Sequence, residues 1–200
     1  MTGPLSFHRT GETIMMLDTL TRIETPHLRS PRLVLRAPRM SDTGALALYA
    51  GDQRVANMTT AIPHPYPPGA AEAYVEAIEA DRSPETVWAI DATPDGGSEL
   101  VGVISVKRAA GEIGYWVGPP FWGTGYASEA ALMVCRYLLV DCSLPKVTAH
   151  VLFDNPASQR VLRRVGFRQT GETWLYSVAR EMEVPAISFE LTPDVFASET

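Results

Sequence analysis

Cysteine, histidine and uninterrupted apolar sequence are scarce in this chain of 200 residues, and each scarcity narrows the functions open to it. The two cysteines, Cys135 and Cys142, share one apolar segment and show no CxxC or Cys/His spacing. That pattern argues for buried, reduced thiols and against a zinc site or a disulfide. His64 and His150 lie far apart without metal-like spacing, so structural roles are expected for both and no metal is expected. No run approaches the roughly 20 apolar residues of a membrane span. The N-terminal MTGPLSFHRTGETIMMLDTL lacks a basic start followed by an apolar core, which makes it a poor secretory signal, and a cytoplasmic location is expected. Basic residues are also in deficit: 17 Lys and Arg against 23 Asp and Glu leave a formal net charge of -6. This balance argues against a nucleic-acid binder held by phosphate contacts, and is mildly compatible with a cationic partner.

What is present is an ordinary globular composition, 46% hydrophobic and 20% charged, long enough for one domain with a substantial core. Residues 1–27 are weakly periodic and read as a flexible arm, with docking on the core or a partner subunit as the alternative. Arg32 to Arg36 (RLVLR) alternates as a first strand, and Ser41-Asp42 offers an N-cap to the short helix that follows. A proline-rich crossing segment leads to a helix over 69–80, with Ala73, Val75 and Ile78 as its inner face. Strands over 86–92, 100–107 and 111–117 form a meander. A long helix over 127–140, a strand over 146–152 and a short helix over 156–165 follow, the last stopped by Gly166. Strands over 167–178 and 184–191 close the domain, and 193–200 is left as a C-terminal tail. The order predicts a mixed α/β single domain, a sheet with helices on its faces.

The stretch from Gly111 to Ala131, GEIGYWVGPPFWGTGYASEAA, is the most informative. An apolar strand, a Pro-Pro break and a glycine turn run straight into a helix. The first N–H groups of such a helix are unpaired and carry the positive end of its dipole. Gly123 and Gly125 let an anion approach the main chain closely. A tight strand–helix turn without a ligand is the plain alternative. A Rossmann turn is not, because Pro119-Pro120 intervenes and the motif lies mid-chain after a meander.

Three segments together resemble the GNAT superfamily of acyl-CoA-dependent N-acyltransferases, in its RimJ/RimL-like branch: RSPRLVLRAPRMSD, EIGYWVGPPFWGTGYASEA and NPASQRVLRRVGFRQTGE. They cover roughly residues 29–191 in family order. The resemblance implies a GNAT-like domain over 28–192, with a twisted mixed sheet of about 6–7 strands flanked by about 4 helices. The family phosphate loop, [QR]-x-x-G-x-[GA], falls on Trp122-Gly123-Thr124-Gly125-Tyr126-Ala127, with Trp122 in place of Gln or Arg and therefore no side-chain role implied there. The resemblance places the coenzyme A pyrophosphate on amides from Gly123 to Ala127 and the pantetheine arm along Trp116 and Val117. It also implies acetyl-CoA as cosubstrate, a primary amine as acceptor, no nucleic-acid or membrane partner, and a homodimer as an open possibility.

Acyl transfer to an amine needs an acceptor for the amine proton, stabilisation of the oxyanion and tolerance of the leaving thiolate. Neutralising an α-amino group at pH 7 costs about 1 kcal/mol and a lysine about 4.6, so an N-terminal substrate asks only for a modest base. Glu112 is the first candidate base by the resemblance, an exposed strand carboxylate being its plain reading; Glu172 is the second. In relatives the Asn of N-x-x-S meets the pantetheine region and the Ser lies near the thioester sulfur, which assigns these roles to Asn155 and Ser158. The tyrosine that many members use four residues on is Leu162 here, which adds weight to Ser158 as donor to the thiolate. Both residues are equally natural helix N-caps. Trp88, Tyr115, Trp116, Trp174 and Tyr176 divide between core and acceptor pocket, and one of Arg160, Arg163 and Arg164 is a candidate phosphate ligand. The competing class is an acyl-CoA-binding regulatory module that retains the cradle without turnover. The segments around 54–68 and 172–183, expected to shape the acceptor pocket, match nothing specific.

Overall fold

The central strands are apolar at successive positions, which requires a sheet covered on both faces. The strand Glu85–Asp91 (β3) shows this: Val87, Trp88, Ala89 and Ile90 are all fully buried. Trp88 and Ile90 join one core and Val87 and Ala89 another, on opposite faces. The computed structural model describes residues 25–199, so the expected flexible arm lies largely outside the described residues.

Two short strands open the domain, Leu28–Arg29 (β1) and Val34–Arg36 (β2), followed by helices Thr43–Ala50 (α1), Gln53–Ala56 (α2) and Ala70–Glu79 (α3). After β3 come Gly102–Lys107 (β4), Glu112–Val117 (β5), helix Tyr126–Arg136 (α4) and Val147–Leu152 (β6). Helix Pro156–Val165 (α5), strands Arg168–Ser177 (β7) and Met182–Leu191 (β8), and helix Pro193–Glu199 (α6) complete the chain. The eight strands form one mixed sheet in the order β1-β2-β3-β4-β5-β6-β8-β7. Leu46 of α1 and Ala71 and Val75 of α3 pack on one face, while α4, α5 and Phe196 of α6 pack on the other.

The mixed α/β class and the order of the main elements agree with the sequence reading. The sheet has one strand more than expected, because residues 28–29 pair with β2. The region read as a tail contains α6, whose Phe196 is only 6% exposed in the main core. On α3 the buried alanine is Ala71, and Ala73 is exposed. Helix α4 ends at Arg136 and continues as a π-helical turn, Tyr137–Asp141. Among the described residues no helix is long and apolar enough to cross a membrane.

One pairing governs the site. Strands β5 and β6 run parallel and share a single register pair, Glu112 with Thr148, beside a Thr148 N–H to Gly111 O bond of 3.0 Å. Each strand has six residues, so past this pair they part. By the strand's period of two, the amides of Tyr115 and Val117 point the same way as Gly111, into the gap.

Candidate active site

The gap opens into a cleft of about 1840 Å³ that reaches the glycine turn at one end. That turn exists because Gly123 and Gly125 take φ of 80° and 86°, values that cost an L side chain roughly 1–2 kcal/mol. Gly125 is the N-cap of α4, and the helical ladder begins with Glu129 N–H to Gly125 O at 3.1 Å. The amides of Ala127 and Ser128 therefore precede the ladder at the positive end of the helix. A Cβ built on Gly123 meets nothing within 4 Å, so the main chain there faces open space that a side chain would fill. The turn fits a phosphate group on these grounds.

Arg32, to which the sequence reading assigned no site role, braces the turn. Its Nε donates to Glu129 Oε2 at 2.8 Å, its Nη2 pairs with the same oxygen, and its Nη1 donates to the Thr124 carbonyl at 3.0 Å. Ser30 Oγ donates to the other Glu129 oxygen at 2.6 Å, and Tyr126 Oη donates to Asp95 Oδ2 at 2.8 Å. Trp122 also has a side-chain role. Its indole Nε1 donates to the Val117 carbonyl at 2.6 Å, and the Arg54 guanidinium lies over its ring at 5.5 Å. The turn is thus tied to the end of β5.

The candidate acid–base groups meet the gap from opposite faces of the sheet. Glu112, Gly114 and Trp116 of β5 point to the α1/α3 side, where Trp116 packs. Ile113, Tyr115 and Val117 point to the α4/α5 side. Glu112 Oε1 accepts from Lys107 Nζ, its cross-strand partner, at 2.7 Å. Its Oε2 lies 3.7 Å from His150 Nε2, and His150 Nδ1 is 3.2 Å from Ser188 Oγ. His150, read from sequence as structural, therefore stands beside the candidate base on the cleft wall. Glu172 does not: it sits exposed on β7 opposite Ile187, outside the cleft lining.

On the other face, Asn155 caps α5, its Oδ1 accepting from Ser158 N–H at 3.0 Å, as the N-cap reading requires. Both residues also line the cleft. Tyr115 Oη is 2.8 Å from Ser158 Oγ, either oxygen able to donate, and 3.2 Å from the Ser158 carbonyl, so its single hydrogen goes to one or the other. Burial pushes the Tyr115 phenol up, against the opposing effect of its bond to Ser158. Leu162 is fully buried in the main core, so position 162 offers no polar group to the cleft. Arg160 and Arg164 line the cleft, whereas Arg163 stacks over Phe189 at 5.7 Å. Of the aromatics, Tyr115, Trp116 and Tyr176 line the cleft; Trp88 is fully buried and Trp174 is exposed.

Arg180, behind the cleft lining, ties together Asn57 and Asp154 of its wall and carried no sequence signal, because its partners are distant in the chain. Its Nε donates to Asn57 O at 2.8 Å and its Nη1 to Asp154 Oδ2 at 2.8 Å, beside a Val178 N–H to Thr60 O bond of 3.0 Å. Arg180→Ala is expected to cost about 1–2 kcal/mol, because the Asn57 carbonyl loses a charged donor. Chemical denaturation checks this; unchanged stability would remove Arg180 from the framework.

A family model described as an acetyltransferase (GNAT) domain matches residues 32–168. YnaD of Bacillus subtilis, named as an uncharacterized N-acetyltransferase, is 29% identical over 150 residues, 72% of this chain and 84% of that protein. YoaA of the same organism, named likewise, is 37% identical over 78 residues, 36% of this chain and 44% of its own length. Among solved structures, Mycobacterium smegmatis RimJ in complex with CoA-disulfide has a TM-score of 0.68 at 22% identity, covering 84% of this chain and 87% of that one. The microcin C7 self-immunity acetyltransferase MccE, in complex with acetyl-CoA and AMP, has a TM-score of 0.69 at 16% identity, covering 82% and 93%. Both likenesses are of fold.

Proposed function

The chain belongs to the acetyltransferase (GNAT) domain family, and from that premise we propose that its domain, residues 28–192, moves an acetyl group from acetyl-CoA to a primary amine. The acceptor is a small-molecule amine or a protein N-terminus, transfer is direct within a ternary complex, and the enzyme is of the RimJ/RimL-like kind. One observation carries the reading: the parting of β5 from β6 opens a passage through the sheet from the glycine turn to Glu112 on one face and Ser158 on the other. The likeness to RimJ with CoA-disulfide and to MccE with acetyl-CoA supports it.

Acetyl-CoA supplies an activated acyl thioester. The amides of Gly123, Gly125, Ala127 and Ser128 would hold its pyrophosphate, with Arg160 and Arg164 as further cations on the wall. Trp116, Val117 and Asn155 would hold the pantetheine arm, and the Val117 amide would donate to the developing oxyanion. Glu112 takes the amine proton on the acceptor face, with Lys107 fixing one of its oxygens and leaving the other toward His150. Ser158 meets the leaving sulfur from the opposite face.

Free-thiol release from acetyl-CoA, measured across a panel of α-amines, polyamines and lysine peptides, tests the reading. Turnover with at least one amine is expected, and Glu112→Gln should lower kcat/KM about 100-fold. Tight CoA binding without thiol release for any amine would instead favour the acyl-CoA-binding module. An unchanged rate and pH profile in Glu112→Gln would remove Glu112 as base.

A further inference from the structure

We propose that Tyr115 is the positioning residue for Ser158, holding its hydroxyl so that the hydrogen is presented to the coenzyme sulfur. This rests on the reading that the cleft binds coenzyme A. A serine hydroxyl rotates freely and on a helix N-terminus turns to whichever acceptor is nearest. Here one oxygen stands against it: Tyr115 Oη is 2.8 Å from Ser158 Oγ, while the Asn155 side chain is engaged by the Ser158 amide. When Tyr115 donates to Oγ, the serine hydrogen is left for the open side of the cleft.

The tyrosine is well suited to that task. It reaches Ser158 from β5 across the gap, on the α4/α5 face, and its hydroxyl also contacts the Ser158 carbonyl at 3.2 Å. Its ring packs against the main core, so the hydroxyl is fixed before any ligand arrives. No other side-chain partner of Ser158 is present among the described hydrogen bonds. The bookkeeping of the step is simple. The amine nitrogen's lone pair forms the new C–N bond to the acyl carbon. The acyl C–S bond breaks with its electron pair staying on sulfur, and the amine proton goes to Glu112. Sulfur leaves as a thiolate that accepts the Ser158 hydrogen bond, and Tyr115 keeps its own proton throughout.

Two readouts separate this from packing alone. Bound CoA gives the first: its thiolate absorbance, followed against pH with the protein spectrum subtracted. Burial pushes both Cys135 and Cys142 up, and subtracting the titration of CoA-free protein removes the contribution of the protein's own thiols. The thiol of CoA bound to the native protein should titrate about one pH unit below that on Tyr115→Phe, because a hydrogen bond to a charged group is lost. Ser158→Ala should match Tyr115→Phe. The second readout is kinetic: Tyr115→Phe should lower kcat about tenfold with KM for acetyl-CoA unchanged, and should add nothing in a Ser158→Ala background. Equal titration in all three proteins with CoA bound, or additive kinetic losses, would overturn the role of Tyr115 while leaving the coenzyme reading intact. Absence of CoA binding to the native protein would overturn both.

Discussion

Replacing Arg36 with methionine is expected to destabilise the domain by about 3–5 kcal/mol, the cost of removing one partner from a buried ionic cluster. Arg36 is 2% exposed and its guanidinium donates to five acceptors, the Ala37 carbonyl at 3.2 Å among them. Its Nη1 donates to Asp42 Oδ2 at 2.8 Å and its Nε to Asp91 Oδ2 at 3.0 Å. Its Nη2 donates to Asp42 Oδ1 at 2.9 Å and to the Glu99 carbonyl at 2.8 Å. Methionine keeps much of the aliphatic stem and removes the charge, leaving two carboxylates, 2% and 8% exposed, without their cation. Against a typical stability of about 5–15 kcal/mol, that is a large share.

The loss should depend on pH in a defined direction. Burial works to raise the Asp91 carboxyl, but hydrogen bonds from the Thr93 hydroxyl and amide and from Arg36 outweigh it and hold the group below its ordinary value. A carboxyl depressed in the folded state contributes stability that is present above its unfolded pKa of about 3.9 and is lost as pH falls through the folded value. Arg36→Met removes part of that depression. The difference in unfolding free energy between native protein and variant should therefore be widest near neutral pH and shrink below the unfolded value, toward about pH 3. Urea unfolding at both pH values measures it. A variant as stable as the native chain would show that the cluster does not hold β2, β3 and the turn before α1 together.

Arg36 also shows where sequence reading reaches its limit. The alternation in RLVLR located a strand, observed over Val34–Arg36, and Leu33 and Leu35 are both fully buried. The same alternation turns Arg36 to the other face, and nothing local reveals that this face is covered too. Its partners Asp42 and Asp91 are 6 and 55 residues away. Helices α3, α4 and α5 were readable from apolar period and from punctuation by Gly69, Gly125 and Gly166, all of which take positive φ. The glycine turn was readable because its chemistry is local. The parting of β5 and β6 was not, since it is an absence of pairing between strands separated by a helix. For the same reason the sequence reading treated Tyr115 as one aromatic among several and His150 as structural. Each acquires its meaning from a partner on a neighbouring element, Ser158 in one case and Glu112 in the other.

Gly125→Val carries the largest expected effect on ligand binding. Valine at a φ of 86° is an outlier for a β-branched residue, so the turn must change course or hold the strain. A Cβ at position 125 would lie 3.5 Å from Arg32 Nη2, an ordinary contact, so the cost lies in the backbone conformation. If the turn re-forms with position 125 at negative φ, the amides of residues 123–125 no longer converge with those of Ala127 and Ser128. Losing two amide bonds to a phosphate, at about 1.5–3 kcal/mol each, removes roughly 3–6 kcal/mol, so affinity for coenzyme A should fall at least about 100-fold. The fold should survive, because the turn is at the surface and the helix beyond it is anchored by Ala130, Ala131 and Val134, all fully buried. Calorimetry with coenzyme A and with pantetheine separates the causes. Pantetheine lacks the pyrophosphate, and its weaker binding should be nearly the same in native protein and variant. A variant that binds coenzyme A as the native protein does would show that the turn holds no phosphate. Equal losses for both ligands would place the damage in the cleft between β5 and β6 and not in the glycine turn.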